Sequence, residues 1–449
     1  MNKPSTLSDQ DLAADWGSEP VVASRVRYQV LGLVCALAVV TYIQRIGFSV
    51  GAPAIKRSLG LDDAQVGYLM SAFLVAYGCF QVPGGLLGDR FGGRNVLTIL
   101  VFGWSLLTGA VALAVLLPQV AALPFVFLVV NRFVFGAFQA GGFPTLGRVI
   151  ADWMPVTERG FAQGAIWMFS RWGGALIPFL MAWLFGICGS WPVPFVLIAA
   201  LGLVWCAAFW PWYRNQPEEM PQVNRAERKL IAAGRSTAAE RTGPVPWSRL
   251  VGSLNVWSLC LMYGFTGFSG NFFTNMLPLY LSDHRHLPSD SAAWRWLSAM
   301  PLAAGSLACI LGGSASDWAI RRWGNRKWGR RWIGLLGLGM AGPAFLATLW
   351  TQDVWILGLL LTLTFFGNDL SMGPAWASCA DIGEQYTGTL SGAMNMVSAL
   401  AGAGGTALAG YLFRQGRPEL VFIIFAGVYV LAALCWLGVD VTRRLSDAR

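Results

Sequence analysis

Apolar residues run along this 449-residue chain in twelve long blocks separated by polar breaks. The blocks span approximately 28–51, 64–88, 96–117, 122–147, 160–187 and 192–212, then 255–281, 292–316, 332–350, 354–378, 386–412 and 418–440. Each is close to or above the roughly 20 residues that a helix needs to cross a bilayer. Over such lengths in lipid, only a helix satisfies every backbone amide and carbonyl, so the pattern predicts an all-α integral membrane protein with twelve transmembrane helices. One polar interruption is long. Residues 213–254 carry Arg214, Glu218, Glu219, Arg225, Glu227, Arg228 and Lys229 before an Ala/Thr/Gly/Pro-rich stretch. They read as a linker, with a short surface helix over 224–235, between two six-helix halves. The expected organisation is a tail (1–27), a first bundle (28–212), the linker (213–254), a second bundle (255–440) and a tail (441–449).

The halves repeat one another. Between the second and third blocks lies Gly84-Gly85-Leu86-Leu87-Gly88-Asp89-Arg90-Phe91-Gly92-Gly93-Arg94, whose charges belong where a helical hairpin turns at a membrane face. A degraded copy, Gly313-Ser314-Ala315-Ser316-Asp317, stands 317 − 89 = 228 positions downstream, followed by Arg321, Arg322 and Arg326. A second anchor has the same offset: Gly160, Gly164 and Met168 match Gly388, Gly392 and Met396. Nearby, Pro144 has its counterpart in Pro374. Two anchors sharing one offset point to duplication. Parallel repeats of six helices place a substrate site between them near the bilayer midplane.

Composition narrows the class. A soluble chain averages roughly 25% charged residues; this one has 12%, with 55% hydrophobic residues and 22 tryptophans. The net charge of +9 is confined to alternate connections: Arg90 and Arg94, Arg214 to Arg249, Arg321 to Arg331, then Arg443, Arg444 and Arg449. The connections near 118–121, 188–192 and 351–353 have almost none. This positive-inside bias puts both termini in the cytoplasm of a multi-pass plasma (inner) membrane protein, and removes the argument for a nucleic-acid partner. The lipid bilayer is the expected surrounding, and a monomer the expected state. Cysteines 35, 79, 188, 206, 260, 309, 379 and 435 are scattered singly, as buried thiols rather than disulfides or metal ligands. His284-Arg285-His286 lies beside Asp283 in a connection and reads as a solvated loop rather than a metal site. No Gly-x-x-x-x-Gly-Lys-Ser/Thr and no nucleophile–base pair occur, so neither an enzyme nor an ATP-driven pump is expected, and no cofactor.

The spacing Gly85-x-x-x-Asp89-Arg90-x-Gly-Gly93-Arg94 resembles the signature loop of the major facilitator superfamily. Tyr42-Ile-Gln-Arg45, Gln81-Val-Pro-Gly-Gly85, Arg132-x-x-x-Gly136-x-x-Gln139-Ala-x-x-Phe-Pro144, Trp153-Met-Pro155, Glu158-Arg-Gly160 and Gly388-Thr-x-x-Gly392-x-x-Asn395 are similar to its anion:cation symporter branch. That branch includes sialin, vesicular glutamate transporters and bacterial carriers of galactonate, glucarate and hexuronates. The resemblance covers nearly all of 28–440. It implies alternating access with proton-coupled import of a small organic anion. It also implies a conformational latch made by Gly85, Asp89, Arg90, Gly93 and Arg94, with Asp317 as the second-half counterpart. Under it, Arg45 and Arg132 contribute to the substrate site, and Tyr42, Tyr77 and Gln81 match cavity positions.

The residues support an anionic cargo independently. Arg45, Arg132 and Arg171 fall well inside the first, fourth and fifth spans, and no acid lies deep in those three helices. A charge at a bilayer centre costs about 3 kcal/mol and faces a polar cavity, and a guanidinium grips a carboxylate bidentately. Asn395, with Asn271, Asn275 and Asn368, offers neutral hydrogen bonds suited to a hydroxylated acid, although the family's usual second asparagine is Ala399 here. The acids that the resemblance links to proton coupling are replaced by Gln44 and Gln139, which cannot carry a proton but keep their hydrogen-bonding capacity and, with Asn395, would orient the cargo in the substrate site. Asp369 stands five residues before Pro374, as Gln139 does before Pro144, and is a candidate either to carry the proton or to neutralise a cavity arginine. Uniport or anion exchange stays open for that reason. Efflux of an amphipathic compound and a non-transporting membrane sensor are the other readings.

Overall fold

The computed structural model describes residues 22–61, 63–118, 123–233, 245, 247–277, 280–287 and 291–445. Most of the N-terminal tail, the connection at 119–122, the middle of the linker at 234–244 and the last four residues lie outside the described residues. Among the described residues there is no strand. The helices are α1 (Val26–Leu59), α2 (Asp63–Cys79), α3 (Gln81–Ala110), α4 (Leu123–Ala140), α5 (Gly142–Trp153), α6 (Arg159–Cys188) and α7 (Pro192–Trp212) in the first half. The linker contributes α8 (Arg225–Ala232) and α9 (Trp247–Gly252). The second half holds α10 (Leu254–Asn275), α11 (Ala292–Trp323), α12 (Arg326–Ala347), α13 (Val354–Leu370), α14 (Met372–Gly383), α15 (Thr387–Arg414) and α16 (Pro418–Cys435). A helix stands at each of the twelve predicted spans, and nine helical segments among the described residues are long and apolar enough to cross a membrane.

The helix limits depart from the sequence expectation in a regular way. The fourth and tenth spans are each broken, at Gly141 (φ −76°, ψ −10°) and Ser371 (φ −78°, ψ −14°). Pro144 and Pro374 follow three residues later, and a proline both lacks the amide and crowds the carbonyl four residues back. The chain continues as α5 and α14 beyond the predicted ends at 147 and 378. The signature segment is not an open loop. Asp89 and Arg90 lie on helix, and the hairpin turns at one residue, Gly92, whose φ of 77° with ψ of 159° suits glycine.

Within the first half α1 packs on α6, α2 on α4, and α3 on α5 and α7; within the second α10 packs on α15 and α16, α11 on α13, and α12 on α13 and α16. The halves meet most extensively at two junctions, α3 against α15 and α6 against α11, and also where α14 packs on α6 and α5 and where α15 packs on α5. Glycines set the first two. A Cβ at Gly85, Gly388 or Gly392 would strike backbone across the α3–α15 junction, and one at Gly313, Gly160 or Gly164 would strike backbone across α6–α11. The three residues of each set are related by the same 228 positions.

The linker helix α8 begins at Asn224, whose side chain accepts from the Glu227 amide, and ends short of the predicted 235. Buried Glu227 in turn accepts from the Val26 and Arg27 amides at the start of α1 and pairs with the Arg27 guanidinium at 2.8 Å. Arg27 also pairs with Glu158 at 2.9 Å. The first part of the linker is thus fastened to the first half, while α9 lies against α10 of the second. At 284–286, Arg285 reaches the Tyr280 hydroxyl and the Thr348 and Thr351 carbonyls, and His284 packs on Tyr280 and Phe413. That segment is therefore anchored rather than merely solvated.

Candidate functional site

The face that carries the signature segment is tied shut between the halves. Asp89 at the end of the first arm of α3 accepts from the Gly388 and Thr389 amides at 2.8 and 2.7 Å and from the Thr389 hydroxyl at 2.6 Å. Asp317 in α11 accepts from the Gly160 and Phe161 amides at 3.2 and 2.7 Å. Each aspartate thus caps the first turn of a helix in the other half, where unsatisfied amides and the helix dipole favour an anion. Asp89 and Asp317, the two copies, do the same thing.

A buried ion network that the sequence reading missed reinforces this face. Arg330 of α12 pairs with Asp317 at 2.6 Å and Asp381 at 3.3 Å and donates to the Val156 carbonyl of the other half. Arg159 pairs with Asp381 at 2.7 Å across the halves. Arg148 pairs with Asp152 at 2.9 Å and donates to the Glu384 carbonyl. The i, i+4 spacing of Arg148 and Asp152 was the available signal. Of the residues grouped with Asp89 as a latch, Gly85 lies at the α3–α15 junction, but three others do not cross the halves. Gly93 faces Val149, Arg94 binds Asn215 and the Trp210 carbonyl, and Arg90 is exposed beside Phe91.

Inward from that face stands an aromatic floor. Phe143 stacks on Trp167 (ring centroids 4.8 Å apart), and both abut Trp376, whose indole donates to the Tyr263 hydroxyl at 3.0 Å. Beyond it the polar residues of the spans converge. Arg45 donates from Nε to Gln139 Oε1 at 2.8 Å, and its guanidinium lies 4.5 Å from the Tyr77 ring centroid and 5.1 Å from that of Tyr42. Its Nη2 is buried without a hydrogen-bond partner. Gln139 also donates to the Thr41 carbonyl, which fixes its oxygen toward Arg45. From the second half, Asn395 donates to Gln81 Oε1 at 3.1 Å and to the Tyr77 hydroxyl at 3.3 Å.

Arg171 and Asp369 form the other central pair. Arg171 presents Nε and Nη2 to both carboxylate oxygens, with Nη2 at 2.7 Å, and Asp369 is also held by Asn368 Nδ2 at 2.9 Å. The bridge runs from α6 to α13 and so joins the halves. Arg171 is therefore compensated, by an acid outside its own half.

Two predicted residues stand apart. Gln44 turns away from the other half: its Nε2 donates to the Ile198 carbonyl at 2.9 Å and to Ser105 at 3.3 Å, tying α1 to α7 and α3. This corrects its assignment to the substrate site, because neighbours on a helix do not share a face. Arg132 is only 3% exposed, wedged against the Phe48 and Phe135 rings and bonded to Asn131 Oδ1, with no acid partner among its hydrogen bonds and ion pairs. Asn271 bonds the Gly267 carbonyl of its own helix, and Asn275 reaches Thr406. Among the described residues no group of His, Cys, Asp and Glu is arranged to hold a metal.

Two bundles of membrane helices meeting on glycine-lined junctions, with buried arginines at the centre, define a polytopic carrier. The model of the Major Facilitator Superfamily matches residues 34–406, and the chain belongs to that family. It is 32% identical over 421 residues to a probable sulfoacetate transporter of Cupriavidus necator, covering 93% of this chain and 94% of that one. A probable galactarate/D-glucarate transporter of Bacillus subtilis is 26% identical over 423 residues, covering 91% and 90%. Among solved structures, a proton:xylose symporter of the same superfamily superimposes with a TM-score of 0.73 over 94% of this chain and 98% of that one, at 15% identity, a likeness of fold alone.

Proposed function

We propose that this carrier moves a small organic anion, bearing carboxylate or sulfonate, by alternating access of 28–212 and 255–440 about the central site. Arg45 carries the reading. Its guanidinium lies inside a membrane helix, has no acid among its partners, keeps Nη2 unpartnered and is ringed by Tyr42, Tyr77 and Gln139. An uncompensated cation inside a membrane helix is costly unless an anion joins it. Asn395, Gln81 and Tyr77 orient the remainder of the cargo from both halves, and Arg132 adds positive potential from behind Phe48 and Phe135. The names of the relatives, a sulfoacetate and a galactarate/D-glucarate transporter, agree with an acidic cargo. Asp89 with Gly85, and Asp317 in the second copy, latch the closed face, which the basic connections assign to the cytoplasm, in a monomer within the plasma (inner) membrane.

Proton-coupled import is the expected energetics, with Asp369 as the group that takes the proton. It pairs with Arg171 of α6 and lies beside the Cys309 thiol of α11, with Tyr42 of α1 and Tyr429 of α16 within its field. Uptake into proteoliposomes, with and without an inward proton gradient, tests this. Gradient-driven accumulation that Asp369→Asn abolishes supports the assignment. A flat response to pH, with stimulation by unlabelled anion on the far side, assigns the protein to exchange.

A further inference from the structure

Resting on the organic-anion reading of this same site, we propose that the site is built for a dianion. One acid group takes the unpartnered edge of Arg45, and the other takes Arg171 by displacing Asp369. Two guanidiniums at the centre are within a ligand's reach: Arg45 is partly exposed, and the Arg171 side chain is 16% exposed, whereas Arg132 is walled off at 3%. Tyr42, whose ring centroid lies 5.1 Å from the Arg45 guanidinium, is in the field of Arg171 as well. Their occupancy differs. Arg45 meets a neutral amide and has an edge to spare; Arg171 donates from Nη2 to Asp369 Oδ1 and keeps Nε in ion-pair contact with Oδ2.

Asp369 is placed as a resident substitute for a cargo acid. It is 0% exposed, its Oδ2 fills the space left by the missing side chain of Gly305, and Asn368 holds its other oxygen. A monoanion neutralises Arg45 and leaves the Arg171–Asp369 bridge closed, with the halves still joined through it. A dianion exchanges one ion pair for another at Arg171, with the displaced Asp369 taking up a proton so that no unpaired carboxylate stays buried, and it breaks an ionic tie between α6 and α13. Substrate charge would thereby be read twice, once as affinity and once as release of the two halves.

The test is thermal-shift titration of the full-length protein in detergent with three matched pairs. These are sulfoacetate and methanesulfonate, succinate and propionate, and D-glucarate and D-gluconate. In at least one pair the dianion binds about tenfold or more tightly than the monoanion, as expected for one extra hydrogen-bonded charge contact. Asp369→Asn removes the competitor and tightens that dianion by a further factor of about ten. The double variant Arg171→Gln/Asp369→Asn removes both charges, strands neither, and brings the pair within about threefold of each other. It gives the answer even if the single variant fails to purify. A monoanion that equals its dianion in the wild type, or an Asp369→Asn variant that binds the dianion more weakly, overturns the dianion assignment alone. No stabilisation of the wild type by any of the six acids overturns the organic-anion reading and this inference together.

Discussion

Gln139 and Asp369 occupy equivalent places in the two halves, each five residues before a helix-breaking proline, and each holds an arginine. Gln139 holds Arg45 within the first half with one neutral hydrogen bond of 2.8 Å. Asp369 holds Arg171 across the halves with an ionic fork. The same position thus serves as a positioning device in one half and as a tether in the other. An amide leaves a cation available to a ligand; a carboxylate consumes it. The repeat supplies the position, while the arginines held there come from non-equivalent places, Arg45 in α1 and Arg171 in α6.

Arg171→Gln is the most severe way to break the comparison. It strands Asp369, which is 0% exposed, and loss of one partner from a buried pair costs about 3–5 kcal/mol. Thermal unfolding in detergent should show it, and Asp369→Asn added to the same chain should restore most of the loss. Gln139→Glu makes the first half copy the second. Arg45 gains a carboxylate partner, and anion affinity should fall by about 1.5–3 kcal/mol, tenfold or more in titration. Asp89→Asn weakens the cap on α15 by about 1 kcal/mol. Pairs of spin labels across that face should then report a larger open population. Gln44→Leu is the smallest expected effect. It removes a tie between α1 and α7 at a cost of about 1 kcal/mol in stability and should leave anion affinity unchanged, because Gln44 faces away from Arg45.

The helical class and the duplication were legible because they are written as period and offset. Both signals survive without knowledge of any contact: twelve apolar runs, and 228 positions between Asp89 and Asp317. The equivalence of Gln139 and Asp369 was legible from the prolines instead, each residue standing five before Pro144 or Pro374 (374 − 369 = 144 − 139). What each side chain faces was not. Gln44 and Arg45 are adjacent letters, but a helix turns about 100° per residue, so one meets the Ile198 carbonyl and the other the central tyrosines. The network of Arg148, Arg159, Arg330 and Asp381 escaped notice because its members lie near predicted span ends, where charge is ordinary. Their partners come from distant helices, and only folding brings them together. The breaks at Gly141 and Ser371 were not legible: the apolar runs pass through both, and a proline alone is no signal, because Pro53, Pro178, Pro301 and Pro343 lie inside continuous helices.

The central claim is that Arg45 is left unpaired by the protein in order to hold the cargo's anion. Equilibrium binding to purified Arg45→Gln, with whichever acid stabilises the wild type, tests it most directly. The account predicts a well-folded variant with an unchanged or raised melting temperature and anion affinity reduced by about 2 kcal/mol or more, roughly thirtyfold. A variant that binds the acid as tightly as the wild type would contradict it.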